Sequence, residues 1–211
     1  MDKRALIPRP ETELLVEEAL KFIHTQVGER RTQGGNAESE APLKVLDVCT
    51  GTGCIALAVA CLTDVDTTEI TAVDISRDAL SLAVENAASL NIPQGRVTFI
   101  ESDLLDRVSG EFDVIISNPP YILSNDMKTL SETVRDFEPH LALDGGLDGL
   151  DIYRRLIQQC KPLLRPGGAL FLEIGPVTVA DLLAKAGFQD ILVLHDYAGL
   201  ERIISSRQNC L

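Results

Sequence analysis

Residues 44–62 read KVLDVCTGTGCIALAVACL, and the fold is decided by how this stretch is divided. KVLDVC (44–49) is a short apolar run of the kind that forms a buried strand, whereas GCIALAVACL (53–62) is long and small enough in side chain for a helix. Gly51 and Gly53 lie between them. Glycines at such a junction let the backbone approach a ligand closely, and the start of the following helix offers free N–H groups. Strand, glycine-bearing turn and helix in that order predict an α/β fold with a ligand at the carboxyl edge of the sheet.

The same alternation continues downstream. EITAVD (69–74) reads as a strand and SRDALSLAVENAASLN (76–91) as a helix with Ser76 as its N-cap. VTFIES (97–102) and FDVIISN (112–118) are strands, and GLDIYRRLIQQCKPLL (149–164) is a helix stopped by Pro166-Gly167-Gly168. ALFLEI (169–174) is a strand and VTVADLLAKAG (177–187) a helix. DILVLHD and RIISSR then follow each other through YAGLE with no helix between them. Strands that are nearly all apolar and separated by helices imply a parallel sheet covered on both faces. The last two strands must instead pair antiparallel. The expectation is a seven-stranded, mostly parallel sheet with a C-terminal antiparallel hairpin.

Upstream, residues 11–27 place Val16, Ala19, Leu20, Ile23 and Val27 at helical spacing, and Pro10 suits a first-turn position. GERRTQGGNAESEAP (28–42) is polar and aperiodic. The chain therefore divides into an N-terminal segment and helix (1–27), a flexible loop (28–42) and the α/β core (43–211).

Composition narrows the class. A chain of 211 residues makes one compact domain that buries roughly 70% of its unfolded surface. The net charge of −13 argues against direct nucleic-acid binding, which needs clustered Lys and Arg. No apolar run approaches the ~20 residues of a membrane span. Cys49, Cys54, Cys61, Cys160 and Cys210 are odd in number and form no CxxC pair, which reads as reduced thiols inside a cell. His24, His140 and His195 are far apart, so no metal site is expected. MDKRALIPRPETE at the N-terminus has neither a signal-peptide core nor an Arg/Ser-rich presequence. An intracellular location follows, cytoplasmic or, given the long polar loop, the mitochondrial matrix.

Asp74 ends the second strand, where a carboxylate can accept hydrogen bonds from both hydroxyls of a ribose. Two cofactors fit this physics, because GTGCIA also satisfies the dinucleotide fingerprint. Three features favour S-adenosyl-L-methionine. Asp47, four residues before Gly51, would favour a cation and oppose a pyrophosphate, the alternative for it being a helix cap or a solvated edge. Asp103, after the third strand, is placed to accept from an adenine amino group. The strand order implied by the terminal hairpin is the third feature, and seven strands ending in such a hairpin resemble the plan of the class I S-adenosylmethionine-dependent methyltransferases.

ISNPPYI (116–122) is the chemical end of this reading. A strand stop explains two prolines in the plainest way. The alternative is a rigid turn in which Asn118 is biased to an extended backbone and Pro119 and Pro120 have fixed φ and no N–H. Such a turn presents the Asn118 side-chain oxygen and the Pro119 carbonyl as acceptors, with Tyr121 as a flat wall. Two acceptors suit an NH₂ group whose lone pair must be aimed at a methyl donor.

N-P-P-Y after a fourth strand resembles methyltransferases that act on planar NH₂ groups, among them adenine methyltransferases of DNA and RNA and protein glutamine methyltransferases. LIPRPETELLVE (6–17), DVCTGTGCIALA (47–58), ISNPPYI and EPHLALDGGLDGLDIYRRLI (138–157) together resemble the HemK/PrmC family of release-factor glutamine N5-methyltransferases. The resemblance runs from Leu6 to Arg207. It implies methylation of the Gly-Gly-Gln glutamine of class I peptide-chain release factors, with S-adenosyl-L-homocysteine as the other product. Asn118, Pro119, Pro120 and Tyr121 would hold the amide. The backbone of Cys49, Thr50, Gly51, Thr52 and Gly53 would bind cofactor, with Asp47, Asp74, Ile75, Asp103, Leu104 and Asn118. The RPETE turn would cap the mouth of the site, or simply start a helix. Family members carry a helical N-terminal domain before this point, and the chain is expected to lack it.

Overall fold

The structure is a computed structural model that describes residues 2–33, 41–176 and 178–209. Among these residues the chain runs α1 (Pro10–Gln33), β1 (Leu43–Val48), α2 (Cys54–Leu62), β2 (Thr68–Asp74), α3 (Arg77–Ser89), β3 (Val97–Glu101) and β4 (Phe112–Ser117). It continues through α4 (Glu132–Arg135), α5 (Asp151–Cys160), β5 (Leu164–Glu173), α6 (Ala180–Lys185), β6 (Gln189–His195) and β7 (Glu201–Arg207). The sheet order is β3-β2-β1-β4-β5-β7-β6. Pairing is parallel from β3 to β5 and antiparallel where β7 meets β5 and β6. The hairpin therefore forms as expected, with β7 inserted between β5 and β6.

Alternating side chains divide the core into two layers. Val45, Val114, Ile116, Ala169 and Phe171 pack with α1 and α2 on one face. Leu46, Ile115, Leu170 and Leu172 pack with α5 and α6 on the other. This is the period-two pattern of a sheet buried on both sides. The order of the strands reverses at β1 and β4, so the crevice at their carboxyl ends is where a ligand fits.

Local chemistry sets several boundaries. Ser76 caps α3 by accepting from the Ala79 N–H at 3.2 Å. The first helix runs six residues past Val27, to Gln33, so residues 28–33 are helix and not loop. Gly28 weakens a helix by about 1 kcal/mol relative to Ala. Arg30 offsets this by donating to Asp113 Oδ1 at 2.6 Å and to the Ala41 carbonyl at 3.2 Å, which pins the last turns to the start of β4. Residues 34–40 of the expected loop, Val177 of the expected last helix, and Cys210 lie outside the described residues.

The fifth helix ends at Cys160 and β5 begins at Leu164, before Pro166-Gly167-Gly168 rather than after it. Leu164 is buried and pairs with Phe112, and a bulge between Phe112 and Val114 absorbs the proline. Among the described residues no helix is long and apolar enough to cross a membrane.

Candidate active site

A cavity of about 200 Å³ opens at the carboxyl ends of the strands. After β1 it is lined by Cys49, Thr50, Gly51 and Thr52; after β2 by Asp74 and Ile75. Asp103 and Leu104 line it after β3, and Asn118 and Pro120 after β4. Four consecutive strand ends thus converge on one space, from residues far apart in sequence.

The loop after β1 is wound tightly to leave that space. Gly51 and Gly53 have φ of 54° and 81°, in the left-handed region. A Cβ at Gly53 would lie 3.0 Å from the Ala83 Cβ and 3.2 Å from Leu57, so α2 and α3 approach closely only because it is glycine. Cys49 and Leu104 also have positive φ, 60° and 48°. Each holds about 1–2 kcal/mol of strain, and both face the cavity. Burial pushes the Cys49 thiol well up and the Cys54 thiol to about 11, so neither is a thiolate.

Asp47 does not line the cavity. It is fully buried behind the loop, where Oδ2 accepts from the Thr50 hydroxyl at 2.5 Å and the Ala56 N–H at 3.1 Å. It thus caps the first turn of α2. Its Oδ1 has no partner, and burial raises its carboxyl to about 7, against the two hydrogen bonds. Gly53 shapes the loop without reaching the cavity wall.

Asp74 faces the cavity with both oxygens engaged on one side: Oδ2 accepts from the Gly51 N–H at 2.8 Å and Oδ1 from the Ser76 N–H at 2.9 Å. Burial raises its pKa and the backbone N–H groups lower it. The Ile75 N–H also acts on the carboxylate, which keeps acceptor capacity for a further donor. Asp103 accepts from Arg155 at 2.8 Å, and Arg155 of α5 lines the cavity beside it. No spacing in the sequence pointed to Arg155.

β4 is buried along its whole length and Ser117 donates to the Val48 carbonyl at 2.6 Å, which fixes where the strand stops. Asn118 then turns its carboxamide toward α1: its Nδ2 donates to Thr12 Oγ1 at 3.3 Å, and the Thr12 hydroxyl donates to Glu173 Oε2 at 2.7 Å. Pro119 is buried beneath the turn. Tyr121 sits against two glycines, because a Cβ at Gly175 would fall 2.4 Å from its ring and one at Gly145 would fall 2.6 Å from its Cα. Burial pushes the Tyr121 hydroxyl up to about 12, so it is neutral. Neither Pro119 nor Tyr121 lines the cavity itself.

Beyond the prolines, the Ile122 N–H donates to the Leu143 carbonyl and the Gly145 N–H donates to the Ile122 carbonyl, at 2.9 and 2.8 Å. These bonds tie the turn to the DGGLDG segment (144–149). The RPETE turn starts a helix, and of its residues only Thr12 lines the cavity. Pro10 opens α1 with Glu11 and Glu13 in its first turn, while Pro8 and Thr12 line the cavity next to Asn118. Thr12 and Glu173 were not foreseen as a pair. The available signal was a lone glutamate ending the apolar strand ALFLE.

Residues 36–148 match the family model described as Methyltransferase small domain. The release factor glutamine methyltransferase of Clostridium acetobutylicum is 39% identical, the match covering 97% of this chain and 68% of that protein. The release factor glutamine methyltransferase of Deinococcus radiodurans is 43% identical over 98% of this chain and 68% of its own. Among solved structures, the protein-(glutamine-N5) methyltransferase (release factor-specific) of Alicyclobacillus acidocaldarius matches with 28% identity and a TM-score of 0.53, covering 96% of this chain and 94% of that one. The T. thermophilus 16S rRNA N2 G1207 methyltransferase, solved with AdoMet and guanosine, shares the fold at 19% identity with a TM-score of 0.63, covering 96% of this chain and 44% of that one.

Proposed function

The chain belongs to the release factor glutamine methyltransferase family, and we propose that it uses S-adenosyl-L-methionine to methylate the N5 amide of the Gly-Gly-Gln glutamine in class I peptide-chain release factors. The observation that carries this reading is that Asn118 of the N-P-P-Y turn and Asp74 open onto one cavity. A carboxylate suited to a ribose and a carboxamide suited to an amide thus serve the same space.

The residues present fit that cofactor. Asp74 faces the cavity as a carboxylate acceptor suited to ribose hydroxyls, held in place by the backbone N–H groups of Gly51 and Ser76. Asp103 Oδ1 is left over from the Arg155 bond for an exocyclic amino group, with Ile75 and Leu104 as apolar neighbours. The loop of residues 49–52 offers backbone close to the ligand, shaped by the left-handed Gly51 and, behind the wall, Gly53. Asp47 acts from behind that loop, by fixing the first turn of α2. When bound, the cofactor supplies an electrophilic methyl group on a sulfonium.

The remaining work falls to the N-P-P-Y turn. An amide nitrogen is a poor nucleophile because its lone pair is delocalised. We assign Asn118 Oδ1, on the cavity wall, to one of its hydrogens and the carbonyl of Pro119, itself buried beneath the turn, to the other, which would leave the lone pair free for the methyl donor. Tyr121, packed closely against Gly175 behind the cavity lining, is the wall we assign to the glutamine side chain. Positioning of this kind supplies several kcal/mol with no covalent intermediate. The reaction needs no thiolate, consistent with the raised Cys49 and Cys54 thiols. Four of the cysteines are free thiols, which suits a reducing, intracellular compartment.

Incubation of the chain with a release factor and S-adenosyl-L-methionine tests the reading. Peptide mass spectrometry should place one added methyl group on the Gly-Gly-Gln glutamine. An unmodified peptide after full incubation would refute it.

A further inference from the structure

β5 is buried from Gly168 to its end at Glu173, a residue only 1% exposed. Its Oε2 accepts the Thr12 hydroxyl, and Thr12 Oγ1 accepts from Asn118 Nδ2. The chemistry of this chain runs in one direction. A carboxylate has no proton to give, and a hydroxyl has one. Thr12 must commit its proton to Glu173 and can then only accept from Asn118. Asn118 must turn its NH₂ end to Thr12, which leaves Oδ1, an acceptor, for the cavity. The Asn118 amide also favours the charged form of Glu173 directly.

We propose that Thr12 and Glu173 are positioning residues that set which end of the Asn118 carboxamide faces the substrate, and thereby select an acceptor that carries NH₂. This rests on the glutamine-methylating function described above. A reversed Asn118 would set its NH₂ against the substrate NH₂ and its Oδ1 against the Thr12 lone pair, leaving both contacts unpaired.

The groups facing Glu173 come from five elements. Glu11 and Thr12 lie on α1, Arg202 on β7, Asn118 and Tyr121 after β4, Cys54 on α2, and Tyr153 on α5 donates to the Glu173 carbonyl at 2.7 Å. Burial is the largest influence and raises the Glu173 carboxyl; Thr12, Asn118 and Arg202 oppose it and Glu11 adds to it. Once protonated, Glu173 can donate to Thr12, whose own proton is then free for Asn118 Oδ1. The polarity is lost on the acid side, at a pH above the ordinary glutamate range.

Thr12→Val, Thr12→Ser and Glu173→Gln test this, with kcat and KM measured on a release factor and S-adenosylhomocysteine affinity measured by calorimetry. Thr12→Val should lower kcat by roughly 10–100-fold while S-adenosylhomocysteine affinity stays within about threefold, and Thr12→Ser should restore most of the rate. Glu173→Gln should lower kcat and remove the acid limb of its pH profile at saturating cofactor. Thr12→Val as fast as wild type, or Thr12→Ser as slow as Thr12→Val, would overturn the proposal. Should Thr12→Val fail to bind S-adenosylhomocysteine, the Glu173→Gln profile decides: a lost acid limb supports the pair and a retained one overturns it. A wild-type chain that methylates no release factor overturns the functional reading and the pair with it. A wild-type chain that does so, beside an unimpaired Thr12→Val, overturns the pair alone.

Discussion

Arg9 donates from one guanidinium nitrogen to both carboxylate oxygens of Glu138, at 2.7 and 2.8 Å. Glu138 is buried while Arg9 keeps a third of its side chain in solvent. The pair fastens the turn before α1 to the segment that leads into α5, and so holds both sides of the cavity mouth. Arg9→Ala would leave a buried carboxylate without its cation. We expect a loss of about 1–3 kcal/mol in urea unfolding, where an unchanged midpoint would show that the pair is not structural.

Asn118 and Asp74 should separate turnover from cofactor binding. Asn118→Ala is expected to cost at least about 100-fold in kcat, with cofactor affinity held within about tenfold, or 1.4 kcal/mol. Asp74→Ala should weaken cofactor binding directly in calorimetry. The reverse pattern would mean that the two ends of the site have been exchanged.

Gly175→Ala offers a test of Tyr121 made without touching it. The new Cβ would meet the Tyr121 ring at 2.4 Å, so the ring must move. We expect a raised KM for the release factor and a lower kcat, with S-adenosylhomocysteine affinity unchanged. A variant with wild-type kinetics would remove Tyr121 from the substrate side.

Asp47 predicts a pH dependence of stability with a definite sign. Burial raises its carboxyl from 3.8 to about 7 in the folded chain. Between those values the native state holds a proton that the unfolded chain has released, so this group's contribution falls as pH rises through the window. Asp47→Asn removes the effect and can keep the bonds from Thr50 and Ala56. The melting temperature of the variant relative to wild type should therefore climb from about pH 4 to about pH 7 and level off above. A flat difference would mean that Asp47 is ionised throughout.

The parts of the site that could be read from sequence are those where one residue type at one strand end has few other uses. Asp74, Gly51, Asn118 and Pro120 reach the cavity as expected, since backbone conformation and strand alternation place them without reference to distant partners, whereas Pro119 and Tyr121 of the same turn do not line it. Thr12, Glu173 and Arg155 are different. Thr12 meets Glu173 across 161 residues of sequence, and only the packing of α1 against β5 makes them neighbours. Asp47 shows the opposite difficulty, because a carboxylate in a ligand-binding loop and a carboxylate capping the helix behind it look alike in sequence. The boundaries at Gln33 and Leu164 moved for a similar reason: Arg30 and Arg165 both reach Asp113, and that anchoring overrides a local glycine and a local proline.

One assay identifies the methyl acceptor directly. A labelled methyl group on S-adenosyl-L-methionine would be offered with three acceptors in turn: a release factor, the same protein with its Gly-Gly-Gln glutamine replaced by alanine, and an adenine-containing oligonucleotide. Label on the unaltered release factor alone is the expected result. Equal label on the two proteins, label on the oligonucleotide, or none on any of the three would contradict it.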